Sequence, residues 1–500
     1  MTGAAPAELR QSTVDTLPAG VARPGYDRSA LTVGIVHIGV GGFHRAHQAM
    51  YVDRLLAAGR AQDWAICGVG LLPGDARMAE ALGAQDGLYT LVEKDGDGSL
   101  HARVIGAMVR YLHAPADPEA VLEQLADPGV RIVSLTVTEG GYAVDAVTGE
   151  FDPSDPAIQR DLAGGAPPTT TFGFLTEALR RRRDRGLPAF TVMSCDNIEG
   201  NGHVAERVFT AYARLADAEL AGWITGNVRF PNSMVDRITP GTTPEDVALV
   251  RDRLGVDDRW PVVCEPFTQW VLEDSFSAGR PPLEEAGVQV VPDVRPYELM
   301  KLRLLNASHQ AVCYFAYLAG YRLVHEACQD PLFARFLLDY MRLEGAPTLE
   351  PVPGVDLPAY QRQLIERFSN ANVRDTVARL CAESSDRIPK WLLPVIRAQL
   401  AAGGPIERST AVVAAWARYA EGVDEQGEPI TIVDRLADDL RRRADEGGTA
   451  FIDNTALFGD LAADERFRTR YLETLASLHE RGARRTLEDI VASGPAPQQD

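Results

Sequence analysis

From about residue 31 to residue 290, short β-branched runs alternate with longer stretches of helical spacing. The runs "LTVGIVHIGV", "WAICGVGL", "RIVSLTVTE" and "AFTVMSCDN" are largely apolar, the pattern of parallel strands buried on both faces. Between them, "HQAMYVDRLLAAG", "PEAVLEQLAD" and "TFGFLTEALRRRRDRG" repeat their apolar residues at helical intervals. Strand and helix in alternation predict a doubly wound α/β sheet. From about residue 291 the alternation stops. "DPLFARFLLDYMRLEG", "AYQRQLIERFSN" and "STAVVAAWARYAEG" predict α-helices. The expected organisation is an α/β domain over 1–290 and a mostly α-helical domain over 291–500. A ligand is expected in the cleft between them. Residues 1–30 read as a polar, proline-bearing arm on the surface, and the tail "SGPAPQQD" as disordered.

Composition narrows the classes. With 500 residues, two to four domains are expected at roughly 150 residues each. A net charge of −20 disfavours nucleic acid or an anionic membrane as partner. Six cysteines are scattered, and none forms a CxxC pair, so no zinc ribbon or redox motif is expected. Their apolar contexts predict buried free thiols and a reducing compartment. The first residues, "MTGAAPAELRQS", lack a cationic start followed by an apolar core. No apolar run approaches the roughly 20 residues that span a bilayer. A cytoplasmic protein is expected.

The first strand runs into "HIGVGGFHRAHQAMY". Gly39, Gly41 and Gly42, followed by Phe43, fall where strand turns into helix, and His44 stands where a third glycine would complete the usual dinucleotide pattern. Such a turn either links two elements or lets backbone N–H groups approach a pyrophosphate at a helix N-terminus. The strand–helix–strand order favours the ligand. A dinucleotide fold also needs an acid beyond the second strand for the ribose hydroxyls. Asp75, in "LLPGDAR", is the next acid. It would repel a 2′-phosphate and favour NAD; Arg77 would soften that preference. A solvated loop acid is the other reading.

The second candidate is "LMKLRLLNASHQAVCYF", residues 299–315. At about 100° per residue, Lys301, His309 and Asn306 lie at about 0°, 80° and 140° on an α-helix. All three can border one cavity. Oxidising an alcohol needs a base for the hydroxyl proton and donors for the charge left on oxygen. A buried lysine can be that base, an asparagine amide such a donor, and a histidine can fix a neighbouring hydroxyl. No metal is required. Taken singly, a lysine more often snorkels to water, and a histidine or asparagine satisfies a local hydrogen bond.

Other polar residues fall at strand ends, where open α/β sheets bind ligands. Asp196 and Asn197 end "AFTVMSCDN", and Asn197 offers a second amide to an oxyanion. Thr138 and Glu139 end "RIVSLTVTE", where a nicotinamide would lie. Asp236 and Arg237, in "FPNSMVDRITP", read as loop residues that form either a substrate contact or a structural ion pair.

With "SLTVTEGGY", "MVDRITP", "CEPFTQWVLEDSF" and "KLRLLNASH", these motifs resemble the mannitol dehydrogenase family of polyol-specific long-chain dehydrogenases, from about residue 30 to 485. The resemblance implies a Rossmann-type N-terminal domain, a mostly helical C-terminal domain with the site between them, and metal-independent hydride transfer to NAD. It implies Lys301 as general base, Asn197 and Asn306 as the oxyanion pair, and His309 as the residue orienting substrate. Glu298 would aid proton passage to solvent, and Asp236 would be the substrate-side acid. Asp75 matches the acid tied to NAD preference, although Gly74 replaces a second acid some members carry. Arg379 and Arg387 match substrate-proximal positions. The implied reaction is D-mannitol to D-fructose, reversibly, in a monomer or small homo-oligomer. Reduction of D-fructuronate to D-mannonate is the alternative, followed by arabinitol or sorbitol oxidation. A silent NAD-binding regulator would show a changed base position, and Lys301 is in place.

Overall fold

The computed structural model describes residues 6–145 and 148–494. Contacts divide the chain into two compact units, with the boundary between Arg295 and Pro296.

The first unit is built on five parallel strands: β1 (Val33–Ile38), β2 (Ala65–Gly70), β3 (Met108–His113), β4 (Ile132–Leu135) and β5 (Thr191–Ser194). Their spatial order is β3-β2-β1-β4-β5, the order of a Rossmann half-sheet and its continuation. Every residue of β2, β4 and β5 is buried. The unbroken apolar runs follow from this, since neither face meets water. Ile35, Ile66 and Ile132 point into one core, and Val36, Val133 and Leu135 into the other. The strand order reverses between β1 and β4, so their carboxyl ends diverge and open a crevice there.

The predicted helix after the glycine turn is divided into α1 (Gly42–Ala46) and α2 (Gln48–Ala57) by a break at His47. Two more strands, β6 (Ser233–Asp236) and β7 (Gln269–Glu273), pair antiparallel. Ser233 Oγ donates to the Ser194 carbonyl at 2.8 Å, which ties β6 to the end of β5. Asp236 therefore ends a strand, and the loop expected there is corrected: the short "SMVD", with Met234 and Val235 buried, finds a partner across from it in "QWVLE".

The N-terminal segment also differs from expectation. Ala7–Glu8 pairs with Val256–Asp257, and Val21–Ala22 with Ala102–Arg103. Leu9, Val14, Leu17 and Val21 are buried in a small core of their own. Four spaced apolar side chains stitch the segment into the domain, against the polar average of its composition. Residues 1–5, 146–147 and 495–500, which include most of the "SGPAPQQD" tail, lie outside the described residues.

Among the described residues no strand follows Val291. The second unit centres on α3 (Ala307–Leu318), which packs on α4 (Val377–Cys381) and α5 (Glu407–Ala420); α5 lies along α6 (Glu465–Ala492), which is kinked at Gly482. Val312, Phe315, Trp416 and Tyr471 fill the interior between them. Among the described residues, no helix is long and apolar enough to cross a membrane. All six cysteines are buried and free. Burial pushes the thiols of Cys67, Cys195, Cys264 and Cys328 up to about 12, so they stay protonated.

Candidate active site

In the first unit the candidate residues gather at the carboxyl ends of strands. Gly39 follows β1 with φ +92°, and a Cβ there would stand 2.1 Å from the Thr136 carbonyl oxygen. Only glycine meets both conditions. At Gly41 an added Cβ would meet nothing nearer than the Gly39 oxygen at 3.9 Å. The turn thus leaves open backbone at Gly41, a cradle that a side chain would fill, while at Gly42 an added Cβ would touch Thr239 at 3.6 Å and Val262 at 3.8 Å. Phe43 is half-buried, its ring stacked on His47 at 4.9 Å.

His44 turns inward instead of flanking the cradle. Its ring stacks on His37 of β1 with centroids 3.4 Å apart and planes 11° apart. His37 lies between Ser134 Oγ at 2.8 Å and Thr136 Oγ1 at 2.9 Å, and Thr136 Oγ1 donates to the Gly39 carbonyl at 2.7 Å. Burial holds His37 down at about 3 and His44 well below the ordinary histidine range. Both rings are neutral and back the turn from beneath. The glycine pattern gives no sign of this support.

Asp75 follows β2. Its Oδ2 accepts from Leu72 N at 2.9 Å, and its Cβ lies 2.5 Å from where a Cβ on Gly70 would stand. The carboxylate therefore sits over the end of the second strand, where ribose hydroxyls belong in a dinucleotide fold. Arg77 lies over the Trp260 ring at 5.4 Å. The turn beyond β4 carries Thr138 and Glu139, both exposed. Beyond β5, Asp196 is buried and Asn197 is exposed. Asp236 is buried, and so is Arg237. Arg237 pairs with Glu93 at 2.5 Å and donates to the carbonyls of Ala46 at 2.7 Å and Glu265 at 3.0 Å. This arginine is part of the fold.

In the second unit Lys301, Asn306 and Glu298 are all buried, at 8%, 4% and 7% exposure. The stretch is not one regular α-helix. Arg295–Met300 is α-helical, Lys301–Asn306 is π-helical, and α3 resumes at Ala307. In a π turn the hydrogen bonds run i→i+5, so each residue turns through less than the α-helical angle. The angles expected for Lys301, Asn306 and His309 are corrected accordingly. Such bulges occur often at functional sites. His309 is half-buried and lies against Phe368, ring centroids 4.6 Å apart.

The two arginines are engaged within the unit. Arg379 forms a two-pronged pair with Asp375, at 2.6 and 2.5 Å. Arg387 donates to the carbonyls of Arg379 at 3.1 Å and Leu380 at 3.3 Å, and lies over the Trp391 ring at 5.7 Å. Among the described residues, no group of three or more His, Cys, Asp or Glu side chains is placed to hold a metal ion.

Two family models cover most of the chain: the mannitol dehydrogenase Rossmann domain over residues 33–285 and the mannitol dehydrogenase C-terminal domain over 293–479. The chain belongs to the mannitol dehydrogenase family. It is 48% identical to mannitol 2-dehydrogenase of Cereibacter sphaeroides, over 95% of this chain and 99% of that one. It is also 48% identical to that of Phaeosphaeria nodorum, over 93% and 82%. Among solved structures, it resembles Pseudomonas fluorescens mannitol 2-dehydrogenase in a ternary complex with NAD and D-mannitol. That match has a TM-score of 0.91 and 44% identity, over 97% of this chain and all of that one. A substrate-free D-sorbitol dehydrogenase matches with a TM-score of 0.88 and 40% identity, over 96% and 99%.

Proposed function

We propose that the chain interconverts D-mannitol and D-fructose, with NAD as hydride partner. As a member of its family it is an NAD-dependent polyol dehydrogenase, an oxidoreductase acting on a CH–OH group. The observation that carries the reading is the match, over 97% of the chain, to a mannitol 2-dehydrogenase solved with NAD and D-mannitol.

In this reading the turn at Gly39, Gly41, Gly42 and Phe43 holds the cofactor pyrophosphate, Asp75 its ribose hydroxyls, and Thr138 and Glu139 its nicotinamide end. Bound NAD supplies an acceptor for the hydride leaving the alcohol carbon. Lys301 takes the hydroxyl proton. Asn197 and Asn306 donate amide N–H groups to the oxygen as its charge grows. His309 orients the reacting hydroxyl, and Asp236 accepts from another. Glu298 passes the proton from Lys301 to solvent. In reduction, the Lys301 ammonium returns a proton to the carbonyl oxygen. An amine and two amides carry the charge, so the reading needs no metal. The same reading has the chain act in the cytoplasm as a monomer or small homo-oligomer.

A carboxylate-bearing substrate such as D-fructuronate calls for a cation beside it. Arg379 is already paired with Asp375, and Arg387 is engaged with two carbonyls and the Trp391 face. That supports a neutral polyol. The likeness to D-sorbitol dehydrogenase favours D-sorbitol as the second reading.

Following NADH absorbance with equal concentrations of D-fructose and D-fructuronate, and NAD reduction with D-mannitol and D-sorbitol, tests the proposal. Fructose and mannitol should turn over faster than their competitors. Faster fructuronate reduction would sink it and make Arg379 and Arg387 the first candidates for a carboxylate clamp.

A further inference from the structure

The turn beyond β4 is strained. Thr138 has φ +63° and ψ +169°, a region almost reserved for glycine and poorly suited to a β-branched residue. Such a conformation persists only where the surroundings impose it. Here the imposing group is Asp196, at the end of the neighbouring strand. Its Oδ1 accepts from Thr138 N at 2.8 Å, and its Oδ2 accepts from Val137 N at 3.1 Å. Oδ2 also lies 2.7 Å from the hydroxyl of Tyr142, which closes the same turn and stands 2.6 Å from Ser194 Oγ. Asp196 is 7% exposed and Tyr142 fully buried. The Asp196 main chain is fixed too: Asn201 Nδ2 donates to its carbonyl at 3.0 Å and to that of Ser233 at 2.7 Å. The next residue is Asn197.

We infer that Asp196 is a positioning residue for the reaction, holding the strained Val137–Thr138 turn beside Asn197 so that the cofactor-facing turn and the oxyanion donor keep one fixed spacing. The inference rests on the dehydrogenase reading above. Its physical content is that one buried carboxylate, accepting from two successive amides, locks the end of β4 to the end of β5. The ladder of β4 with β5 ends with the bond from Cys195 N to the Leu135 carbonyl at 2.8 Å, short of Val137, Thr138 and Asn197.

The test uses the full chain carrying Asp196→Asn, Tyr142→Phe, or Asp196→Asn with Thr138→Gly. Amide exchange at Val137 and Thr138 should quicken about tenfold in Asp196→Asn. Its kcat for fructose reduction should fall about 10- to 100-fold, the scale of a displaced reacting geometry, with KM for fructose within about threefold of wild type. Adding Thr138→Gly should restore kcat at least about threefold, because glycine enters this conformation without strain. A purely structural role predicts no such rescue. Wild-type kcat in Asp196→Asn, or the absence of rescue in the double variant, overturns the inference. Should Asp196→Asn fail to fold, Tyr142→Phe decides: a several-fold fall in kcat at unchanged KM supports the role, and wild-type kcat removes it. Wild-type protein that turns over none of the four polyol and keto substrates would fail the dehydrogenase reading instead. NADH affinity by fluorescence titration then judges Asp196 separately: a fivefold loss in Asp196→Asn supports it, and equal affinity overturns it.

Discussion

At the scale of single residues, the proposed mechanism asks the most of Lys301. A lysine at 8% exposure, flanked by Met300, Leu302, Leu304 and Leu305, is expensive unless its amine is paired. In the proposed mechanism, removing it takes away the base and leaves the glycine cradle as it was. Lys301→Ala should lower turnover by about 10²- to 10⁴-fold, the span of general base catalysis, while NADH affinity stays within about twofold. Absorbance kinetics and fluorescence titration measure the two; near-normal turnover would take the base role from Lys301. Lys301, Asn306 and His309 stood out in the sequence because each is a polar group in an apolar stretch. Asp196, like Asn197, was marked only by its place at a strand end. It reads as one more polar residue at a strand end, and its two amide donors lie 58 and 59 positions away.

At the scale of elements, the β1 turn shows how sequence and structure divide the work. The glycines mark a turn, and the structure shows which glycine is irreplaceable. Gly39→Ala would place a methyl 2.1 Å from the Thr136 oxygen at φ +92°. It should destabilise the chain by about 2 kcal/mol or more and weaken NADH binding. Thermal melting and fluorescence titration check both, and a melting temperature equal to wild type would show that the turn relaxes. The π turn at Lys301–Asn306 was not readable from the pattern. Apolar spacing reports which face is buried; whether a hydrogen bond runs to the fourth or the fifth residue depends on what packs against the turn. The same holds for the N-terminal segment, whose few apolar residues find a core only once Val256, Val263 and Val104 are beside them.

At the scale of the molecule, two buried sites, one in each unit, should answer acid in opposite ways. In the first, His37 has its folded value near 3, against 6.5 when unfolded, because burial disfavours its charge. Stability from keeping this ring neutral is present above pH 6.5 and is lost as pH falls towards 3; His44, beside Arg45, acts in the same direction. In the second, burial raises the Glu344 carboxyl to about 7, despite its bonds from Arg408 N at 2.7 Å, Ser409 N at 2.8 Å and Ser409 Oγ at 2.6 Å. Its folded value lies above 4.5, so its contribution is full below pH 4.5 and is lost as pH rises through 7. Arg408 and Asp339 are the charged groups alongside. Hydrogen exchange at pH 5 and 7.5, corrected for intrinsic rates, should show the end of β1 and α1, which carry His37 and His44, less protected at pH 5 and the start of α5 more protected. Glu344→Gln should flatten the α5 response; equal pH responses at the two sites would refute the assignment.

The sequence alone determined the class of each half, because buried strands and amphipathic helices impose different periods on apolar residues. It determined the family as well, because a glycine turn, strand-end polar pairs and a Lys-Asn-His helix recur there in fixed order. Only the tertiary structure decided that Arg237 belongs to Glu93, that Arg379 belongs to Asp375, and that Asp196 holds a strained threonine in place. Those are pairings between residues distant along the chain or choices among several neighbours. Local pattern states what a residue can do, and packing selects the partner with which it does it.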